Sequence, residues 1–436
     1  MLVGSVILNE QEVREAKSLV SRLDDALSSE AIFTQIVEGL PVQVGEKFRR
    51  ALETEKAELE HLVQAYEKAK EGDYTELKRR AGNDPGLALI VARIARGLTQ
   101  KDLARKLGLR EQQVQRYEAD RYRAISLSSY RKVASVLGVH WDMKLSDWGS
   151  GAGWAVAENV SAAAVKKIIK HGKENAWFRD DANEPLRDEE SFNYLQRYVS
   201  DHIIRYGTPS LLRTGLNVEN YTDDLSLLAW KARVTRQAEK IIEEQKVEYR
   251  PLAIGWLIDL VRLSKENDGP LQARELLASH GIVLIAEPQI PGMKVDGAAF
   301  LVNDVPVIGM TLRRDTIDGF WFTLLHEVGH IILHYRTGLS SGFFDDSDLS
   351  AVDEIEEEAN EFASNMLIPE EKWRRSPARI AKAAEVIERF AEQIGVHPAI
   401  VFGRIQKERG DYAIFSNKVG RGRVRNLLIP EGVDVR

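Results

Sequence analysis

The run Leu325-His326-Glu327-Val328-Gly329-His330-Ile331-Ile332-Leu333-His334 constrains the fold more than any other stretch of this chain. Phe320, Trp321, Phe322 and Leu324 precede it, so two histidines and a glutamate are set in a strongly apolar, helix-like segment. Residues four apart on a helix share a face, and His326 and His330 can therefore present ring nitrogens to one metal ion, with Glu327 beside that ion rather than on it. Two neutral imidazoles at about 2.0–2.1 Å, with a carboxylate able to take a proton from water, suit a zinc peptidase. Paired histidines on a buried helix can also be plain core residues. The apolar surround and Gly329, which leaves room for close approach, favour a dry, shaped site.

A third ligand is expected from the acidic cluster Asp353-Glu354-Ile355-Glu356-Glu357-Glu358-Ala359-Asn360. Read as a helix running to Pro369, its apolar stripe is Ile355, Ala359, Phe362, Ala363, Met366 and Leu367. At about 100° per residue, Glu356 lies within about 60° of the stripe's centre, Glu358 about 100° away and Glu357 nearly opposite. A carboxylate aimed at a core is costly unless it is paired or ligates a metal, so Glu356 is the expected ligand and Asn360, one turn on, its supporting partner. Glu354, Glu357 and Glu361 read as a solvated face.

The order of several blocks is similar to the ImmA/IrrE metallopeptidase family. These blocks are Gly281-Ile282-Val283-Leu284, Val295-Asp296-Gly297-Ala298, Val305-Pro306-Val307-Ile308, Phe322 to His330, Glu356 to Pro369, Phe390-Ala391 and Ile400 to Gln406, within roughly residues 225 to 410. The resemblance implies a gluzincin-like domain with Zn2+ on His326, His330 and Glu356, and with Glu327 as the catalytic base. It also implies a protein substrate, in that family often a repressor with a helix-turn-helix. His334 extends the same helical face, but metzincins place a third histidine six residues on, after a glycine that turns the chain. Here the spacing is four with no turn, so His334 reads as lining the pocket or as a histidine near a helix C-terminus.

A second signal runs from Gly97 to Glu118. Thr99 can cap a helix that buries Leu103, Ala104 and Leu107, Gly108 breaks it, and Leu109, Val114 and Tyr117 suit the inner face of a second helix. Leu127 to Val139, with Tyr130, Val133, Ala134 and Leu137 in period, completes a small helical domain. The expected DNA contacts are Gln100, Gln112, Gln113 and Gln115, whose amides can bond base edges, with Arg110, Arg116, Arg121 and Arg123 on phosphates. From Arg93 to Lys132 there are 11 Lys and Arg against 4 Asp and Glu, or +7, in a chain of net charge −7, which leaves −14 elsewhere. Such segregation is the footprint of a DNA-binding module in an acidic protein. The segment resembles the XRE, or Cro/C1, type of helix-turn-helix, which implies a double-stranded DNA operator and a homodimer.

Residues before 88 are charged and helix-prone, with an amphipathic run through Phe48, Leu52, Leu59, Leu62, Val63 and Tyr66. Leu59 to Glu67, followed by the helix-turn-helix, resembles the N-terminal part of a HigA-type antitoxin; an ordinary dimerisation or packing helix has the same pattern. The 436 residues suggest two to four domains. With no cysteine there is neither a disulfide framework nor a cysteine-based zinc site. No basic segment precedes an apolar run at the N-terminus and no stretch approaches 18 apolar residues, so the expected location is the cytoplasm, away from membranes.

The expected fold is mainly α and multidomain. Its parts are a helical region at 1–87, the helix-turn-helix at 88–142, a Gly-rich linker at 143–154, a helical connecting domain at 155–224, an α+β metallopeptidase domain with a small sheet at 225–410, and a tail at 411–436. In the connecting domain Tyr194, Tyr198 and His202 share a face and read as core. Ile282 to Ala286, Ala298 to Val302 and Val305 to Met310 read as strands, the last two joined at Asn303-Asp304, with Phe300 to Val307 a candidate edge for extended substrate. The function expected is an antitoxin or transcriptional regulator of a toxin–antitoxin or phage-defence pair that hydrolyses a protein partner, such as a cognate toxin. The alternatives are a stress- or phage-triggered protease acting on a separate repressor, and an autorepressor that neutralises by binding alone.

Overall fold

A computed structural model describes residues 6–82, 84–123, 125–140, 162–177, 188–206, 222–340 and 349–429. The chain is mainly α, with one small sheet, and divides into two units: Met1–Ser28 with Glu53–Gly153, and Ser29–Leu52 with Trp154–Arg436. The Gly-rich stretch at 143–154 lies outside the described residues, as do parts of 155–224. No helix among the described residues is long and apolar enough to cross a membrane.

The helices before the first unit's end are α1 (Glu10–Ser28), α2 (Glu30–Ile36), α3 (Val42–Lys70), α4 (Thr75–Ala81), α5 (Pro85–Ala95), α6 (Gln100–Leu107), α7 (Glu111–Ala119) and α8 (Leu127–Val136). The unit boundary falls inside α3. In the first unit α1 buries Val13, Ala16, Leu19 and Leu23, and the later turns of α3 bury Leu59, Leu62, Tyr66 and Ala69. Lys70 pairs with Glu10 and Lys56 with Asp24, so the two helices run antiparallel.

Local chemistry explains the helix-turn-helix. Thr99 accepts from the Asp102 N–H while Asp102 accepts from the Thr99 N–H, a reciprocal cap that starts α6. Gly108, at φ +70, ends it in the left-handed conformation that a residue with a Cβ resists. Leu103, Ala104, Leu107 and Val114 are buried, as are Tyr130, Val133, Ala134 and Leu137 from the α8 region. Leu109 and Tyr117 are half-buried.

In the second unit α9 (Ala162–Glu174), α10 (Asp188–Tyr206) and α11 (Thr222–Gln245) precede α12 (Leu257–Arg262) and α13 (Gly269–Ser279). The sheet follows, with β1 (Val283–Ala286), β2 (Gly297–Val302) and β3 (Val305–Met310) in the order β1-β3-β2; β3 is parallel to β1 and antiparallel to β2. Asn303 and Asp304 both have positive φ, the two-residue hairpin geometry that matches strand twist. The proposed substrate edge is corrected by this order. Of Phe300 to Val307, only Phe300–Val302 lies on an edge strand, because Val305–Val307 belongs to β3, the central strand, whose register with β1 begins at Val307.

The remaining helices are α14 (Ile317–His334), α15 (Leu349–Leu367), α16 (Glu370–Arg375), α17 (Ala384–Ile394), α18 (Pro398–Arg409) and α19 (Arg425–Leu428). α14 is buried nearly all round, between α15, α18 and β2. Residues 411–429, part of the stretch read above as a tail, pack on the domain: Ile317 N–H donates to Val419 O, Asp315 accepts from the Val424 and Arg425 N–H groups, and Val419, Val424 and Leu428 are buried.

Candidate functional site

Gly329 decides how close α15 comes to α14. A Cβ there would lie 3.1 Å from Phe362 Cδ1 and 3.4 Å from Ala359 Cα, so the room expected at this glycine is filled by the helix that carries Glu356. The close crossing brings three ligand atoms together. His326 Nε2 is 3.1 Å from His330 Nε2 and 3.3 Å from Glu356 Oε2, and His330 Nε2 is 3.4 Å from Glu356 Oε1. Ligands at about 2.0–2.1 Å from a tetrahedral ion are about 3.3 Å from one another, so this donor set fits such an ion. Among the described residues it is the one group of three that can hold a metal.

The electrostatics suit a cation. Burial alone would raise Glu356, but its contacts with His326 and His330 outweigh that and hold the carboxyl well below the usual range. Burial disfavours a charged His326, and Glu356, Glu327 and Asn360 together outweigh it and raise its pKa. Asn360 adds to that rise, while the buried His326 Nδ1 has no hydrogen-bond partner among the described residues. Glu357 and Glu354 are exposed, as the helical phasing expects. His334 ends α14, is buried, and lies 3.4 Å from Glu358 on the next turn of α15; burial pulls its pKa down to about 3.

Glu327 is buried beside the three, against the start of β2. Burial raises its pKa, and the charges of His326 and His330 oppose that rise. The Ala299 backbone N–H also meets it. Gly297 leaves the space its carboxylate occupies, and the residues before Gly297 are pinned: Arg313 forks onto both Asp296 oxygens at 2.9 and 3.0 Å, and Thr311 Oγ1 donates to Val295 O. A raised pKa in a dry site suits a group that must take up and release a proton near neutrality.

A groove of about 1070 Å³ opens beside Glu356 and Asn360, and Gln43 from the start of α3 lines it with Glu361 and Glu371. One turn beyond Gln43, Lys47 Nζ lies 2.8 Å from Glu361 Oε2 and 3.9 Å from Glu358 Oε1. Sequence reasoning missed this wall, because nothing in residues 29–52 signals a partner so far along the chain.

In the first unit Arg110, Gln112, Gln115, Arg116, Arg121 and Arg123 are exposed, while Gln113 is half-buried and donates to the Tyr117 hydroxyl. Gln100 Nε2 donates to Glu118 Oε2 at 2.9 Å, which engages its amide nitrogen within the fold. Glu118 was also missed. It is buried and bidentate with Arg93, at 2.6 and 2.8 Å, and Arg93 donates on to Leu98 O and Leu8 O. The available signal was positional: Arg93 and Glu118 fall on the buried faces of α5 and α7, where an unpaired charge is costly.

A family model described as an IrrE N-terminal-like domain matches residues 278–405, and one described as a helix-turn-helix matches residues 89–143. The chain therefore joins an IrrE-like metallopeptidase domain to an XRE-type helix-turn-helix. No curated protein and no solved structure matches it.

Proposed function

We propose that this chain is a zinc endopeptidase and DNA-binding regulator, the antitoxin of a toxin–antitoxin or phage-defence pair, working in the cytoplasm as a homodimer on a double-stranded operator and hydrolysing a protein partner. The observation that carries the catalytic part is the convergence of His326, His330 and Glu356 at tetrahedral spacing with Glu327 buried alongside. An intact base beside three protein ligands favours catalysis over a purely structural ion, which usually has four.

Zinc, when bound, polarises a water and the scissile carbonyl. His326, His330 and Glu356 would hold the ion, with Glu356 supplying one negative charge toward it. Glu327 accepts the proton of the attacking water on its carboxylate and returns it to the leaving amine. Gly297 leaves the space that carboxylate occupies, and the Asp296–Arg313 fork pins the backbone just before it. The free edge of β2 offers main-chain hydrogen bonds to an extended peptide, and the groove at Glu356 receives what lies beyond it. On the DNA side, the +7 segment with its outward Gln112, Gln115 and Arg116 supports operator binding.

The test is co-expression with the product of the adjacent gene, comparing the wild type with Glu327→Gln. Rescue of growth with cleavage of the partner by the wild type alone supports an antitoxin that acts by proteolysis. Rescue by both with an intact partner shows neutralisation by binding and removes proteolysis from the antitoxin role.

A further inference from the structure

A histidine that binds a metal is ordinarily oriented by a hydrogen bond from its second ring nitrogen, which fixes the plane of the ring and makes it a stronger base. The last torsion of a histidine has only a broad preference of its own, so its neighbours decide where the ring points. For His326 no such bond is present among the described residues, although Nδ1 is buried. Its ring meets other rings instead. Phe322, one helical turn earlier on α14, lies 6.4 Å away between centroids and 29° from coplanar, an offset stack. His330 stands edge-on at 4.7 Å and 84°. Two rings set at these angles restrict the imidazole's rotation without touching its nitrogen.

Phe322 is itself only half-buried, and α18 helps to hold it. Positions 403 and 407 of α18 meet positions 318 and 322 of α14 turn for turn. A Cβ on Gly403 would collide with the Asp318 carboxylate, so the glycine lets the two helices approach closely. One turn on, the ammonium of the exposed Lys407 lies 4.9 Å over the Phe322 ring, where the electron density of the ring's face attracts it. The contacts form a single line. Lys407 covers Phe322, Phe322 stacks on His326, and His326 Nε2 faces Glu356 Oε2 at 3.3 Å.

We propose that Phe322 is a positioning residue of the metal site, orienting the His326 imidazole by stacking where a hydrogen bond would ordinarily do so, with Lys407 steadying the Phe322 ring from α18. The inference rests on the reading of His326, His330 and Glu356 as metal ligands. Stacking of this kind aims the ring but does not add the basicity that an acceptor on Nδ1 would supply.

The experiment measures the zinc affinity of the full chain by competition with a chromophoric chelator, and the visible absorption of the same chain loaded with cobalt(II), whose bands report ligand geometry. Phe322→Leu keeps an apolar side chain and removes the ring. It should weaken zinc binding about three- to tenfold and shift the cobalt bands, with the melting midpoint of the metal-free protein close to wild type. Phe322→Tyr, which restores a ring, should recover both readouts, and Lys407→Met should weaken binding by a smaller factor. Wild-type affinity and bands in Phe322→Leu would overturn the proposal, as would equal losses in Phe322→Leu and Phe322→Tyr. A lowered metal-free midpoint with unaltered cobalt bands would show a purely structural role and overturn it too. Should Phe322→Leu fold poorly, Lys407→Met decides, because its side chain is exposed: wild-type affinity and bands there count against the proposal. A wild-type chain that takes up no metal would remove the ligand assignment itself, an outcome distinct from a metal site indifferent to Phe322.

Discussion

Gly297 stands where a Cβ would come within 2.8 Å of Glu327 Oε1 and equally close to Thr323 Cγ2, so the base occupies space that only glycine leaves open. Gly297→Ala should therefore displace the Glu327 carboxylate while the fold and metal content persist. A displacement near 1 Å at a reacting group costs about 100-fold in rate, and a loss of that order in partner cleavage is expected. Unchanged cleavage would show that the carboxylate has room to relocate.

Metal affinity should distinguish three neighbouring glutamates. On the proposed ligand set, Glu356→Ala should leave the purified protein with little zinc, whereas Glu357→Ala, on the exposed face, should retain a full complement. Glu327→Gln should keep zinc and lose hydrolysis. Metal analysis of the three variants decides the matter, and zinc loss in Glu357→Ala instead would refute the phasing of α15.

The Arg93–Glu118 pair should behave as a buried pair does. Each side chain is about 3% exposed, and removing one partner strands the other charge, at a cost of about 3–5 kcal/mol. Glu118→Ala should accordingly lower the melting midpoint and abolish DNA binding together, and the double replacement Arg93→Met with Glu118→Met should recover much of the stability. Equal stability of Glu118→Ala and wild type in urea would contradict the assignment.

On the outward face, Arg116→Ala should weaken DNA binding nearly uniformly across sequences and reduce the salt slope by about 1, because one phosphate contact releases about one counterion. The check is affinity measured over a range of salt; an unaltered slope excludes Arg116 as a phosphate contact.

Stability should rise with pH in two windows. His202 has an ordinary value of 6.5 and about 3 in the fold, so between those values the unfolded chain holds a proton that the native one lacks, and stability falls as the solution is acidified. Lys231, at 10.5 ordinarily and about 7 in the fold, gives the same sign between pH 7 and 10.5. Urea denaturation at pH 5, 7 and 9.5 should show His202→Asn flattening the acidic limb and Lys231→Met the alkaline one. A wild-type alkaline slope in Lys231→Met would mean that the amine is hydrated in the fold.

What was legible in the sequence was what is local or periodic. Thr99, Asp102 and Gly108 start and stop α6 through atoms within four residues of one another, and the apolar stripe of α15 fixes which glutamate turns inward. The β2–β3 hairpin was readable because Asn303-Asp304 alone supplies its turn. The illegible parts depend on distant partners. Arg93 and Glu118 looked like members of a basic surface until their faces were paired across α5 and α7, and Lys47 carries no local sign that its counter-charges lie on α15. Strand order is of the same kind: three apolar runs announce a sheet without saying which is central.

Lys47 and Glu361 are roughly 300 residues apart in the chain, and the contact between them sets an order of events. At about 5–20 residues per second, a ribosome needs roughly 15 to 60 s to travel that distance, during which Ser29–Leu52 has no surface to join. Helices α5 to α8 depend on no residue made so late, since their buried contacts lie within the first unit. A nascent chain thus acquires its DNA-reading helices well before its metal-binding pocket can close, and for that interval a fold that comes to combine both exists as the first alone.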